Sequence, residues 1–223
     1  MLLLAVDTSG KQGSIALAQC GPGDACEVIE VAALSGGTFS AELVPQIAAL
    51  LAKHKFSKAD IGAFAVVSGP GSFTGLRIGL AVIKALTEVL GKPIAAVSML
   101  EALAIAANLQ GKIVAALDAG RNEVFLGDYE IDDRGAHVIR ERLFTRDQWL
   151  ESASGEVIVT VDNTLARAAR AKGSHVLEVD RPRSDAIAQL GWRKILSGET
   201  VSSEALEANY VGRSEAELFM KGS

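Results

Sequence analysis

"LLLAVDTSG" (Leu2–Gly10) and "IVAALDAGR" (Ile113–Arg121) are the two stretches whose pairing decides the fold. Each is an unbroken apolar run, the pattern of a strand buried on both faces, and each ends on an aspartate followed by turn residues. The elements after each run repeat as well. After Asp7, Ser14 to Ala18 reads as a hairpin partner and Cys26 to Leu34 as a third strand. Ser40 reads as the N-cap of a helix from Ala41 to Lys53, Ile61 to Val67 as a buried strand, and Phe73 to Leu90 as a helix stopped by Gly91. Pro93 to Val97 is a short strand, and Ser98 caps a helix to Asn108. After Asp118 the order recurs: strands at Glu123 to Glu130 and His137 to Phe144, a helix from Thr145 to Glu151, a strand at Val157 to Val161, a helix from Thr164 to Ala171, a strand at His175 to Val179 and a helix from Arg183 to Leu196. Ser203 to Met220 reads as a turn and a short terminal segment. Both halves spell β-β-β-α-β-α-β-α, an internal duplication rather than a short-period repeat. The prediction is an α/β chain of two units, residues 1–109 and 110–223, each a mixed sheet with helices on its faces, and a cleft between the two sheets.

Composition fits that reading and excludes others. Of 223 residues, 49% are hydrophobic and 22% charged, which rules out intrinsic disorder. Aromatics are only 5%, so the core must be aliphatic. The net charge is −5 and the basic residues are scattered; Lys53, Lys55 and Lys58 come nearest to a cluster. A protein that grips nucleic acid by itself carries a concentrated basic footprint, so any RNA must be held mainly by another subunit. Met1 to Val6 is too short for a leader and lacks a basic region before it, and no apolar stretch reaches a membrane span. The chain reads as soluble and cytoplasmic. Cys20 and Cys26 flank Gly21-Pro22-Gly23 without a CxxC and read as reduced thiols beside a turn.

The densest punctuation is "SGPGSFTGLRIG", Ser68 to Gly79. Gly69 and Gly71 permit backbone angles closed to other residues, and Ser72 can cap the following helix. The segment supports two readings: a turn that leaves helix N–H groups open to an anion, or a tight strand-to-helix turn with glycines serving geometry alone. It lacks GK[ST] and is no P-loop. Gly75 and Gly79 share one helical face at a cost of roughly 1 kcal/mol each against alanine, so close approach of another backbone is expected there. The helix from Ala41 to Ala52 carries Glu42 as its only charge, with Leu43, Val44, Ile47, Leu50 and Leu51 forming an apolar stripe and Ala41, Ala48 and Ala49 filling much of the rest. A helix apolar nearly all round is covered by its own chain or docks on another.

Asp7 and Asp118 also support two readings each: a carboxylate positioned near a nucleotide, or a side chain capping its own turn. Asp7 is followed by Thr8-Ser9 with Gly10 one place late for a D-x-G turn, whereas Asp118-Ala119-Gly120 keeps that spacing but is followed by Arg121 and Asn122 rather than a hydroxyl. His54, His137 and His175 stand apart, with no HxxxH or HExxH, and there is no G-x-S-x-G elbow. A cleft without a nucleophile, base or metal set suggests a subunit that binds rather than reacts, with no catalytic or metal-ligating residues to assign.

The duplicated Asp-ended unit resembles the actin, hexokinase and Hsp70 superfamily, in which the hairpins grip phosphates. More narrowly, Leu3 to Ser9, "SAELVPQIAALL" (Ser40–Leu51), "SGPGSFTGLRIGLAVIKAL" (Ser68–Leu86), "VSMLEALA" (Val97–Ala104), "LDAGRNEVFLGDYE" (Leu117–Glu130) and "LEANYVGR" (Leu206–Arg213) together resemble the TsaB (YeaZ) family over nearly the whole chain. The resemblance implies a non-catalytic paralogue of the transferase TsaD, in a complex that places threonylcarbamoyl on adenosine 37 of tRNAs reading codons that begin with A. It implies docking on TsaD, or on a second copy, through Ala41, Leu43, Val44, Ile47, Ala48, Leu51, Phe73, Gly75, Leu76, Arg77, Gly79, Leu80 and Ile83. It further implies a P-loop ATPase partner, TsaE, contact with tRNA through the complex, and ATP or ADP at the subunit junction rather than a cofactor held by this chain alone. Asp7, Ser68, Gly69, Gly71, Ser72 and Asp118 are the junction or nucleotide candidates. The metal-binding histidines of the catalytic paralogue's first helix have no counterpart in Ala41 to Ala52. Two departures stand out: Phe39 where the family often has histidine, at the expected edge of the docking face, and Gly120 where arginine is common. The alternative is an ATP-dependent kinase or carbamoyl or acyl transferase acting alone through Asp7, Asp118 and the Ser68–Ser72 loop; a metallopeptidase lacks the ligand spacing.

Overall fold

Leu2–Asp7 (β1) is buried at every position, as an uninterrupted apolar run requires when both sheet faces are covered. The computed structural model describes residues 1–212; Arg213 and the rest of the expected terminal segment to Met220 lie outside them. β1 pairs antiparallel with Gly13–Cys20 (β2), and β2 with Cys26–Leu34 (β3). On its other side β1 runs parallel to Ile61–Gly69 (β4), and β4 to Ile94–Ser98 (β5), giving a five-stranded sheet in the order β3-β2-β1-β4-β5. Phe39–Lys53 (α1) and Phe73–Leu90 (α2) connect these strands, and Met99–Ala106 (α3) follows β5.

The second set repeats the first, element for element. Gly111–Gly120 (β6), Glu123–Asp132 (β7) and Gly135–Thr145 (β8) form the antiparallel half. Arg146–Ser152 (α4), Val157–Thr160 (β9), Asn163–Ala171 (α5), His175–Glu178 (β10) and Ser184–Ser197 (α6) complete it. The sheet order β10-β9-β6-β7-β8 is that of the first sheet written from the other edge. The expected α/β duplication of the actin-like type therefore holds in element order and in sheet topology.

Caps explain several boundaries. Ser72 accepts from Gly75 N–H at the start of α2, and Gly91 ends that helix at φ +63°. Thr145 and Gln148 form a capping box on α4. Asp162 caps α5 by accepting from Thr164 and Leu165 N–H. The α1 expectation is corrected: Thr38, not Ser40, is the cap residue, because Ala41 and Glu42 N–H already bond the Thr38 carbonyl.

The expected division at residue 109 is also corrected. One compact unit comprises Met1–Met99 with Pro182–Asn209; the other comprises Leu100–Arg181, and the chain returns to it at Tyr210. The reason lies in α6, whose small residues fit it to the first sheet. A Cβ on Gly191 would lie 2.3 Å from Ala65 Cβ, so only glycine allows this approach. Ser184 N–H donates to Ser14 Oγ at 3.0 Å, and Ser184 Oγ donates to the Ser14 carbonyl at 2.6 Å, both groups being buried. In the first unit Leu4, Val6, Ile15, Phe64 and Val66 pack against Leu43, Ile47, Leu80 and Ile83. In the second, Val114, Ala116, Leu126 and Ile158 pack with Trp149 and Leu165. Among the described residues no helix is long and apolar enough to cross a membrane.

Candidate functional site

The glycine-rich turn and the end of β1 are built around each other. A Cβ on Gly75 would lie 2.0 Å from the Thr8 carbonyl oxygen, and one on Gly79 would lie 2.4 Å from Thr8 Oγ1. Thr8 Oγ1 donates to the Gly75 carbonyl at 2.7 Å. Ser72 N–H donates to the Ser9 carbonyl at 2.7 Å, and Ser9 also stands 2.4 Å from where Gly71 would carry a Cβ. The close backbone approach expected is therefore real at Gly75, while at Gly79 it is the Thr8 side chain that comes close; the chain's own Thr8 makes both contacts. Gly69, at φ +139°, faces the Asn209 carbonyl, and Asn209 N–H donates to the Ser68 carbonyl at 2.8 Å. "LEANY" is thus fastened to the turn from the far end of the sequence, with Leu206 buried in the first unit's core.

The candidate carboxylates sit differently. Asp7 is buried and its Oδ1 accepts from Ser9 N–H at 2.8 Å and Ser9 Oγ at 2.6 Å, the geometry of a turn cap. Ser68 is buried and its Oγ donates to the Val97 carbonyl at 3.3 Å. Asp118 is exposed; its Oδ1 accepts from Gly120 N–H at 3.3 Å and pairs with the Arg146 guanidinium at 3.4 Å. The β6–β7 hairpin closes on Arg121 and Asn122 at φ +51° and +63°, both central residues of the tight turn lying in the left-handed region. Gly120, at φ +74°, begins that run, so an arginine there would be strained.

Helices α1 and α2 lie side by side and each has two unlike faces. Leu43, Ile47 and Leu51 of α1, and Gly75, Leu76, Gly79, Leu80 and Ile83 of α2, are buried in the first unit's own interior. They are corrected from docking contacts to internal packing: the apolar stripe read from the sequence is the inward one. The outward face of α1 is largely apolar, and that of α2 mixes apolar side chains with Thr74, Arg77 and Glu88. On α1 it presents Ala41, Val44, Pro45, Ala48, Ala49 and Ala52. On α2 it presents Phe73, Arg77, Ala81, Ala85 and Val89, one stripe at steps of four. Val44 is 56% exposed, Phe73 55% and Val89 72%. The Arg77 guanidinium lies 3.7 Å over the Phe73 ring, holding an exposed aromatic in place. Of the expected docking residues, Ala41, Val44, Ala48, Phe73 and Arg77 are on this face; Ala81, Ala85 and Val89, reached by counting in fours from Phe73, share it and were not among those expected. Phe39 is not at its edge: the ring is buried, 2.9 Å from where Gly13 would carry a Cβ.

The histidines do not converge. His54 bonds Glu30 at 2.7 Å beside Lys53, His137 bonds Asp132 at 3.0 Å, and His175 lies on β10. Among the described residues no group of three histidine, cysteine, aspartate or glutamate side chains could hold a metal ion.

Residues 33–184 match the family model described as "TsaD: tRNA N6-adenosine threonylcarbamoyltransferase". The chain belongs to this family, on its TsaB/YeaZ branch. It is 34% identical over 131 residues to the tRNA threonylcarbamoyladenosine biosynthesis protein TsaB of Bacillus subtilis, covering 58% of this chain and 56% of that relative. It is 27% identical over 230 residues to the protein of the same name in Escherichia coli, covering 95% and 94% of the two chains. The solved structure of YeaZ from Pseudomonas aeruginosa superposes with a TM-score of 0.73 at 24% identity, over 94% of this chain and 99% of that one, and shares the fold. The chain thus spans little more than half of the Bacillus relative's length. The family resemblance read from the glycine-rich signature and the Asp118 segment is thereby established.

Proposed function

We propose that this chain is a cytoplasmic, non-catalytic accessory subunit in tRNA threonylcarbamoyladenosine biosynthesis. It docks through the outward face of α1 and α2 on the TsaD transferase that modifies adenosine 37 of tRNAs reading codons that begin with A. The observation that carries this reading is the pair of adjacent helices that expose Val44, Phe73 and Val89 among small alanines, with Arg77 over the Phe73 ring. Burying such a face is worth roughly 25 cal/mol per Å² before the costs of association. A second copy of the chain can occupy the same face when the transferase is absent. TsaE and a nucleotide, ATP or ADP, would join at the junction, and tRNA would be held chiefly by the complex, in keeping with a net charge of −5. The relatives' names support the pathway, and an α1 without histidine supports the division of labour with a metal-holding paralogue.

The alternative, a kinase or acyl transferase acting alone through Asp7, Asp118 and the Ser68–Ser72 loop, has less support. The Asp7 carboxylate and the Ser68 and Ser72 hydroxyls all make hydrogen bonds within the first unit's own framework. Reconstitution separates the two readings. Val44→Arg is expected to abolish co-elution with the cognate transferase and threonylcarbamoylation of tRNA, while leaving the circular dichroism spectrum and melting temperature unchanged. Modification that persists with Val44→Arg, or without this chain at all, defeats the accessory reading. ATP turnover by the isolated chain would favour the alternative.

A further inference from the structure

Cys20 ends β2, Cys26 opens β3, and the two stand opposite each other in the antiparallel register. The backbone settles which kind of pair they form. Cys20 N–H donates to the Met1 carbonyl at 2.8 Å, and the Cys20 carbonyl accepts from the Met1 amino group at 2.6 Å, so both point away from β3. One residue on, Gly21 N–H donates to the Ala25 carbonyl at 2.8 Å. Backbone groups alternate sides along a strand, so Cys20 and Cys26 occupy a non-hydrogen-bonded position. There the Cα atoms stand ~4.5 Å apart and side chains come closest. That spacing falls inside the ~4.4–6.8 Å range a disulfide spans. The turn joining the two is held from α6, where Trp192 Nε1 donates to the Gly23 carbonyl at 3.0 Å. Both thiols are free, Cys20 being buried and Cys26 partly open to solvent.

We propose that Cys20 and Cys26 are a reversible oxidation site, at which a small disulfide oxidant of the oxidised-glutathione class converts the facing dithiol to a cross-strand disulfide. The Cys26 thiolate attacks one oxidant sulfur, and one glutathione thiolate leaves. The resulting mixed disulfide is attacked at the Cys26 sulfur by Cys20, whose proton passes to the second departing glutathione thiolate. Two protein thiols lose two hydrogens and one oxidant disulfide becomes two thiols. Accessibility puts Cys26 first. A hydrogen bond from the Cys20 thiol also favours its thiolate, while that bond and burial hold Cys20 protonated until Cys26 has reacted. The role is independent of partner docking.

The test uses the intact chain in glutathione buffers of increasing oxidised fraction at neutral pH, quenched in acid, unfolded, alkylated and weighed. The expected result is two alkylated thiols in the reduced chain and none in the oxidised one, whose mass falls by two hydrogens and is restored by dithiothreitol. Cys20→Ser should stop at a stable glutathione adduct on Cys26, and Cys26→Ser should remain unmodified under the same conditions. A glutathione adduct that persists on the parent chain, two alkylatable thiols in excess oxidant, or a disulfide between two copies would each overturn the proposal. The parent chain alone decides it should either variant fail to fold.

Discussion

Gly75 and Gly79 sit inside a helix, where exchange for alanine ordinarily stabilises by ~1 kcal/mol. The structure reverses that sign. At Gly75 the new methyl would lie 2.0 Å from a backbone carbonyl oxygen, so α2 or the Thr8 turn must move. Overpacking of this kind costs roughly 1–3 kcal/mol, and loss of the bond from Thr8 Oγ1 to the Gly75 carbonyl adds ~1 kcal/mol. Against the helical gain, Gly75→Ala is expected to lose roughly 1–3 kcal/mol. At Gly79 the obstacle is the Thr8 hydroxyl at 2.4 Å; the next atoms, Thr8 Cβ and Cγ2, are at 3.6 and 3.7 Å. Thr8→Ala therefore makes room at Gly79 but leaves the carbonyl facing Gly75. The assay is urea unfolding followed by Trp192 fluorescence in a Trp149→Phe background, which isolates the first unit, with midpoints compared at constant slope. In a double-mutant cycle Gly79→Ala should lose most of its cost on Thr8→Ala, a coupling of roughly 1–3 kcal/mol, whereas Gly75→Ala should keep most of its own. A Gly75→Ala chain more stable than its parent, or a Gly79 penalty indifferent to Thr8, refutes the close-approach account.

Other expectations rest on burial and charge. Ile47→Arg, a neighbour of Val44 that faces inward, should unfold the first unit rather than merely prevent docking, seen as loss of the cooperative melt. Ser14→Ala strands the buried Ser184 N–H and should lower stability by ~1–3 kcal/mol in the same urea assay. Glu156 has its carboxyl pushed above the ordinary range by burial and then by the Asp128 charge. The folded state thus holds that proton more tightly than the unfolded state, and stability falls as pH rises from the ordinary carboxylate range through the raised value. Glu156→Gln should raise the melting temperature at neutral pH, with the gain vanishing in acid below that range. Glu30 behaves oppositely: Lys53, then His54, holds its carboxyl low, so its contribution is present above the ordinary value and lost as pH falls through the depressed one. Glu30→Gln should flatten that acid limb.

Much of the architecture could be read from residues because local signals agreed. Asp7 and Asp118 each end an apolar run, Gly91 stops α2 where it was expected, and β3 occupies Cys26–Leu34 as read. What could not be read was who meets whom across the chain. Gly75 and Gly79 announce a close neighbour, but nothing in their spacing says that Thr8 is that neighbour rather than a partner. Ser184, Ala188 and Gly191 mark α6 as tightly packed without saying on which sheet. The residues expected to dock divide between a buried and an exposed face for a similar reason. When a helix is apolar on both sides, composition cannot tell its buried Leu43 and Ile47 from its exposed Val44 and Ala48; only the sheet beneath assigns them.

A further consequence concerns the order of synthesis. The first unit needs α6 and Asn209, which leave the ribosome after the entire Leu100–Arg181 segment. Vectorial translation normally lets N-terminal structure finish first. Here residues Met1–Met99 must wait, with Ala65 and Ala95 uncovered, until α6 has been synthesised. A nascent chain stalled before α6 emerges would be a client for a chaperone, and a fragment ending at Met99 would not be self-sufficient.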